Sequence, residues 1–437
     1  MAVETNIPAN WKLPLFWATV DGSQAGGLTE SQPALLVGQY LAIGVIQPNV
    51  PIPCASAAQA GQLTGVGSML HRMVIAFLAN NPTSQLWIIA VPDPTAAQAA
   101  TGSILFAGTS IQSGVLSTYV AGQLVAIAVY STDTPASIAN NFVAAVNAMA
   151  SLPVTATIDG ANTGKVDLTC RWKGATGNDI QISFNYLGLY GGQAMPAGLT
   201  GTISAMAGGS GNPDFTTAIA AISAQRFYHV GMPYNDTGSL AAWDAEYGFG
   251  PGGRWAYQRQ QYGWIFNGLR LDYADGLEWG LAHNSSVVST MIFEPTVPTP
   301  LWEAVAAYCG QGAAALLADP ARPLQTLPLV NVLPAPLADR FSQTELNDFV
   351  NSGLAAQSTR VDGTVMIVRE SLRYQLNAYG QNDDAFALVT ILSNLAELLT
   401  RLKNAITTKY PRHKLAPDGT AFGPGQAIVT PKILKAE

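Results

Sequence analysis

Apolar and polar positions follow two different rhythms along this chain, and the change of rhythm marks its organisation. Residues 34–47 (ALLVGQYLAIGVIQ) and 86–92 (LWIIAVP) are near-continuous apolar runs, the pattern of strands buried on both faces. Between them Met69, Met73, Phe77 and Leu78 recur at helical spacing within 68–80, so the opening reads strand–helix–strand, the start of an α/β core. After Val91-Pro-Asp-Pro94 the rhythm shortens. Residues 101–131 predict three short strands with glycine turns. Asp133-Thr-Pro135 then opens a helix to about Met149, with Ile138, Phe142, Val143 and Val146 on one face. Strands follow at 153–158, 165–171, 180–186 and 197–206, and Gly208-Gly-Ser-Gly-Asn-Pro213 closes the section. Residues 95–208 therefore read as a mainly-β α+β insertion between two halves of an α/β core.

Beyond it helix and strand alternate again. Helices are predicted at 214–224, 302–318 and 344–355, the last opened by Ser342 with Glu345 three residues on, and a strand or hairpin at 364–378. From about Asp384 to Thr407, Leu388, Leu392, Leu395, Leu399, Leu402 and Ile406 fall at alternating spacings of four and three. That is a helix about 36 Å long, most simply a core helix packed on a sheet, with Asp383-Asp384 capping its N-terminus. At the other end, Pro8 and Pro14 discourage helix, and Leu13–Val20 is a short apolar strand closed by Asp21-Gly22. Such a terminal strand needs a sheet edge, in its own chain or in another.

Composition sharpens this picture. Of 437 residues 48% are hydrophobic, so the chain folds, yet only 11% are charged, against about 25% in an average domain. A surface so poor in charge suits a subunit of something larger. The net charge of −7 argues against general nucleic-acid binding. From Arg401 onward seven cations face two anions, a net +5, which leaves −12 on the preceding 400 residues. A basic tail on an acidic body can mate with an acidic patch on a neighbouring copy or a partner. Three scattered cysteines (Cys54, Cys170, Cys309) fit a reducing compartment. No signal peptide opens the sequence and no apolar run reaches ~18 residues, so a soluble chain made in the cytoplasm, with no membrane insertion, is expected.

Candidate chemistry is sparse. Gly248-Phe-Gly-Pro-Gly-Gly253 matches GxGxxG literally, but no buried strand precedes it and Pro251 stiffens it, so it reads as a plain glycine loop. The phosphate-loop, HExxH and GxSxG patterns are missing, and His71, His229, His283 and His413 stand apart from other ligand-type residues. His229 reads as a packed strand residue. No catalytic, cofactor or metal residue is assigned, and the chain reads as a structural protein. An α/β enzyme with a site built from unrecognised residues is the reading from a different class, which turnover of a substrate by monodisperse protein would reveal.

Several blocks carry a family resemblance. Tyr410-Pro-Arg-His-Lys-Leu-Ala416, Asp418-Gly-Thr420 and Phe422-Gly-Pro-Gly-Gln-Ala-Ile-Val-Thr-Pro431 resemble the C-terminal signature of Mu-type contractile phage tail sheath proteins. Ala318–Pro328, the start from Ile7 to Asp21, and Leu152–Ala156 with Leu168–Ile180 are similar to other stretches of that family. The resemblance spans nearly the whole chain. It implies a subunit of stacked hexameric rings in a helical sheath, a homo-oligomer around a tail tube protein, with baseplate and tail terminator proteins at its ends. It implies no cofactor, no direct nucleic acid, and a place in the virion after assembly in the host cytoplasm. The sheath of a related contractile machine, a tailocin or a secretion system, is the alternative. The implied divisions are an N-terminal linking arm (1–23), a discontinuous sheath core (24–94 and 209–421), an outer domain (95–208) and the start of a C-terminal linking segment (422–437). The family continues past the Val-Thr-Pro block with a further helix and strands, so the last linking strand is expected to be incomplete or absent. Leu15, Phe16, Trp17, Val20, Ile428 and Val429 are the expected inter-subunit arm contacts. Arg401, Lys403, Lys409 and Arg412 are the expected basic residues facing tube or neighbour.

Overall fold

The two apolar runs become neighbours in one sheet. In the computed structural model, which describes residues 31–423 and 425–436, strand Ala34–Gln39 lies parallel to Leu86–Val91, Ala34 opposite Leu86 and Gln39 opposite Val91. On its other side it pairs in parallel with His229–Gly231, followed by Trp264–Arg270 and Val288–Phe293. The short strand Ile52–Pro53 closes the far edge antiparallel. Chain order therefore reverses between Ala34–Gln39 and His229–Gly231, the mark of a doubly wound sheet. Every residue of Ala34–Gln39 and of Val288–Phe293 is buried, which is why these stretches are continuously apolar and do not alternate.

Helices Met69–Asn80 and Leu301–Ala318 pack against each other and the sheet. Their close approach needs small residues. A Cβ on Gly310 would lie 2.8 Å from the Phe77 carbonyl oxygen, and one on Gly312 2.6 Å from the Phe266 ring. Ser68 caps the first helix by accepting from the His71 N–H, and Ser342 with Glu345 forms the expected capping box on Gln343–Asn351.

The strands between 101 and 207 pair only with one another among the described residues. Leu199–Ala207, Thr101–Gly108, Lys165–Cys170 and Val154–Ile158 make an antiparallel four-stranded sheet. Gln123–Val129, Gly114–Val120 and Ile182–Phe184 make a three-stranded one. Helix Pro135–Ala148 buries Ile138, Phe142 and Val146, the face its spacing predicts.

Four expectations need correction. The first strand stops at Gln39, because the chain then turns tightly around Gly44, where a Cβ would meet the Leu63 carbonyl at 2.5 Å. The hairpin is Ala356–Thr359 with Val365–Arg369, and not a run over 364–378. The long helix begins at Val389, and Asp383 does not cap it: its carboxylate accepts from the Tyr374 hydroxyl at 2.6 Å. Nor is that helix a core helix throughout, since its buried residues end at Ala396. Three short helices, Ala57–Thr64, Thr237–Tyr247 and Tyr273–Ala282, were not visible in the pattern. The last two are so rich in Gly, Ala and Trp that their apolar spacing is blurred.

The glycine loop at 248–253 follows a helix and precedes none. It is pinned by Glu246, whose carboxylate takes hydrogen bonds from Arg254 Nε at 2.8 Å and Arg259 Nη2 at 2.7 Å. Arg254 is fully buried and also donates to the Ile222 and Gln225 carbonyls. Arg254→Met leaves Glu246 with half its compensation and two carbonyls bare, so urea denaturation is expected to show a loss of about 3–5 kcal/mol. His229, buried between Trp264 and Phe266, has its imidazole held down at about 3 by burial, against an ordinary 6.5. The unfolded chain therefore takes up a proton that the folded chain refuses. Its contribution is complete above pH 6.5 and is lost toward pH 3, at ~1.4 kcal/mol per unit. A His229→Gln variant is expected to show a correspondingly shallower acid slope in denaturation curves collected from pH 7 downward.

Candidate assembly site

In a doubly wound sheet, a ligand site is expected at the carboxyl ends of the strands where chain order reverses. Here that crevice is filled by the chain itself. Gln39 ends the first strand fully buried, and its amide Nε2 donates to Asp93 Oδ1 at 2.7 Å and to the Lys173 carbonyl at 2.6 Å. Its Oε1 accepts from Thr176 Oγ1 at 3.3 Å, and the Trp172 indole N–H donates back to Thr176. The segment 172–176 thus plugs the position a nucleotide or substrate would take, with its polar groups already paired.

The nearest thing to a reactive cluster is Asp244, which accepts from Ser285 Oγ and, at 3.4 Å, from Arg373 Nη2. No imidazole serves it as a base, because His283 is stacked on Trp279 with Nδ1 2.7 Å from that residue's carbonyl oxygen. It is a structural ion pair. Among the described residues no three His, Cys, Asp or Glu side chains group as metal ligands, and no helix is long and apolar enough to cross a membrane.

What stands out lies at the C-terminal end. Helix Val389–Lys409 is anchored by Val389, Leu392 and Ala396, and by a bridge between Leu388 and Ser371. Past Ala396 Leu399 still touches the core, but Leu398 is 63% and Leu402 51% exposed. Its leucine spacing therefore runs from Leu395 and Leu399, which still touch the core, to Leu402, which stands exposed among the described residues. Arg401 and Lys403 are exposed on this stretch, Arg401 holding Glu397 one turn back at 2.6 Å. Lys409 lies over the Tyr410 ring, and Arg412 is exposed just beyond the helix.

The chain then forms a parallel pair, Lys414–Leu415 with Ile428–Val429, through Lys414 N–H to the Ala427 carbonyl and Ala416 N–H to the Val429 carbonyl. Val429 is buried while Leu415 is 82% exposed. A sheet of two strands has two open edges and is marginal alone. Helix Pro431–Lys435 follows, capped by Thr430. Ile428 and Val429, expected to touch a neighbour, are paired here within their own chain. Leu15, Phe16, Trp17 and Val20 lie outside the described residues. The sequence reading missed Lys414–Leu415 as a strand, since two residues carry no periodicity. It also missed Leu398, which sits off the leucine stripe.

Comparison with known proteins supplies the family. No family model matches the chain. It is 35% identical over 434 residues to the Mu-like prophage FluMu tail sheath protein of Haemophilus influenzae, covering 99% of this chain and 87% of that one. The chain belongs to the Mu-like prophage tail sheath family; it is a structural protein and not an enzyme. Among solved structures it is similar to sheath tail proteins from Desulfitobacterium hafniense (TM-score 0.46, 11% identity, 91% of this chain and 83% of that one) and Listeria innocua (0.44, 10%, 88% and 78%). It is also similar to a chain of the anti-feeding prophage helical sheath in its contracted state (0.35, 10%, 95% and 79%). The family assignment rests on the sequence match.

The split character of the long helix gives a direct test on the monomer. Leu392→Ala is expected to cost about 2–5 kcal/mol in chemical denaturation. Leu402→Ala is expected to change stability by less than about 0.5 kcal/mol.

Proposed function

We propose that this chain polymerises as stacked hexameric rings around a tail tube and contracts to drive that tube through a bacterial envelope. In this reading residues 1–23 are a linking arm, 24–94 and 209–421 the sheath core, 95–208 an outer domain and 422–437 the beginning of a second link. A tube protein, a baseplate and a terminator are its partners, in a virion tail assembled in the host cytoplasm. Membership of the tail sheath family supports the reading. The observation that carries it is the end of the chain: Leu398, Leu402, Arg401, Lys403 and Arg412 are exposed, and the strand pair after them is two-stranded among the described residues.

Strand addition fits the edges of such a pair, because main-chain hydrogen bonds hold a link while the bodies it joins change orientation. Leu15, Phe16, Trp17 and Val20 are the side chains we assign to the added strand, and Ile428 and Val429 belong to the sheet that receives it. Arg401, Lys403, Lys409 and Arg412 supply long-range attraction to an acidic tube or neighbour. No cofactor is needed, since the driving free energy is stored in the interfaces of the extended polymer. About 1 kcal/mol per subunit sums to on the order of 100 kcal/mol over a hundred or more linked copies.

Negative-stain electron microscopy of the purified chain, alone and with a tail tube protein, is the test. Striated tubes with six-fold end views are expected from the wild type. Deletion of residues 1–23, or Arg401→Glu with Lys403→Glu, is expected to leave folded protein that no longer forms them. Isolated monomers from the wild type in the presence of tube protein would overturn the proposal.

A further inference from the structure

Residues 101–207 could be a swinging appendage, joined to the core by two crossings at 92–100 and 208–213. The seam argues otherwise. The crossings are stitched to each other, Gln98 and Ser210 exchanging backbone hydrogen bonds at 3.1 and 3.2 Å, and the second is tied to residues 101–207 by Ala175 N–H donating to the Gly211 carbonyl at 3.0 Å. A hinge needs backbone free to turn, and here it is paired.

Two core arginines then reach across at separate places. Arg72, on helix Met69–Asn80 and 3% exposed, is gripped at Nε by Glu303 of the neighbouring core helix. This orients the other two nitrogens, so that Nη2 donates to the Ala121 carbonyl at 2.8 Å and Nη1 to the Ser151 carbonyl at 3.2 Å. Arg270, ending strand Trp264–Arg270, donates through Nη1 to the Asp179 carbonyl at 2.6 Å and through Nη2 to the Thr299 carbonyl of the core. Gln39 supplies a third fixing point at Lys173 and Thr176. Arg171 reaches back from the other side to the Val66 carbonyl at 3.0 Å. Between these points Trp172 meets Trp302 edge-on with ring centres 5.3 Å apart, both fully buried.

Two fixing points would leave an axis of rotation; here the ties come from three different core elements, helix Met69–Asn80 and the ends of strands Ala34–Gln39 and Trp264–Arg270. We propose that Arg72 and Arg270 are positioning residues that weld residues 101–207 to the core, so that the two turn as one body. This goes beyond the sheath reading and does not depend on it, since it concerns the single chain. In a sheath it means that every rotation of the core is carried undiminished to the outer surface. Residues 32–437 form one compact unit, as such a weld requires. Each guanidinium touches both sides of the seam at once, which no apolar contact of the same size would do with fixed direction.

The weld is read on the monomer. Cys54, Cys170 and Cys309 are all buried, so spin labels can be placed at two exposed positions, Thr157→Cys beyond the seam and Glu278→Cys in the core. Double electron–electron resonance is expected to give one narrow distance peak in the otherwise wild-type chain. Arg72→Leu with Arg270→Leu is expected to replace it with a broad or multiple distribution while near-ultraviolet circular dichroism still reports ordered aromatic packing. If that variant does not fold, Arg72→Lys with Arg270→Lys carries the comparison, because one ammonium cannot span two carbonyls and a carboxylate in fixed directions. It too is expected to broaden the peak. A broad distribution in the parent, or a peak equally narrow in the folded arginine variants, would overturn the proposal. Neither outcome depends on whether tubes form, so failure here is distinguishable from failure of the sheath reading.

Discussion

Helix Leu301–Ala318 lies against both helix Met69–Asn80 and the parallel sheet, and that close three-way packing organises the rest. It is possible because Gly310 and Gly312 present no side chain where Phe77 and Phe266 come nearest. The same helix carries Trp302 and Glu303 at its first turn. One packs against Trp172, and the other orients Arg72 toward the Ala121 and Ser151 carbonyls. Core packing and the attachment of residues 101–207 are thus consequences of one helix being able to sit close. A side chain at Gly310 would meet helix Met69–Asn80, and one at Gly312 would meet the sheet at Phe266.

The filled crevice explains how a doubly wound sheet can serve a structural protein. Its carboxyl edge offers polar groups at the point where chain order reverses, and in this chain Gln39 meets a carbonyl and a hydroxyl from segment 172–176 there. A site whose hydrogen bonds are all made internally has nothing left with which to bind a substrate. In the proposed sheath role, binding falls to a different surface. Toward its end the long helix exposes Leu398 and Leu402 beside Arg401 and Lys403, and the strand pair after it has two strands only among the described residues.

Much of the architecture was legible because burial leaves a periodic trace. Continuous apolar runs marked Ala34–Gln39 and Leu86–Val91, helical spacing marked Met69–Asn80 and Pro135–Ala148, and the shift to short alternating strands after Pro94 marked where a different set of sheets begins. The charge asymmetry pointed to the C-terminal end as the part that differs from the body, and its cations are indeed exposed there. Legibility failed where local spacing is the same for two environments. Leu402 continues the stripe of Leu392, Leu395 and Leu399, all three of which meet the core, so nothing in the spacing distinguishes the packed leucines from the exposed one.

From the chain alone, then, came the α/β core, the inserted set of strands, the want of a catalytic constellation and the family, because each is written in local composition, periodicity or contiguous motif. Only the tertiary structure decided which polar residues meet across long separations. Gln39 and Lys173, Arg72 and Ser151, and Arg270 and Asp179 carry no mark in sequence of belonging together. A buried arginine is recognised by the carbonyls around it, and carbonyls are the same in every residue. The weld and the plugged crevice are therefore properties of the fold, set by which backbone oxygens the packing brings within reach.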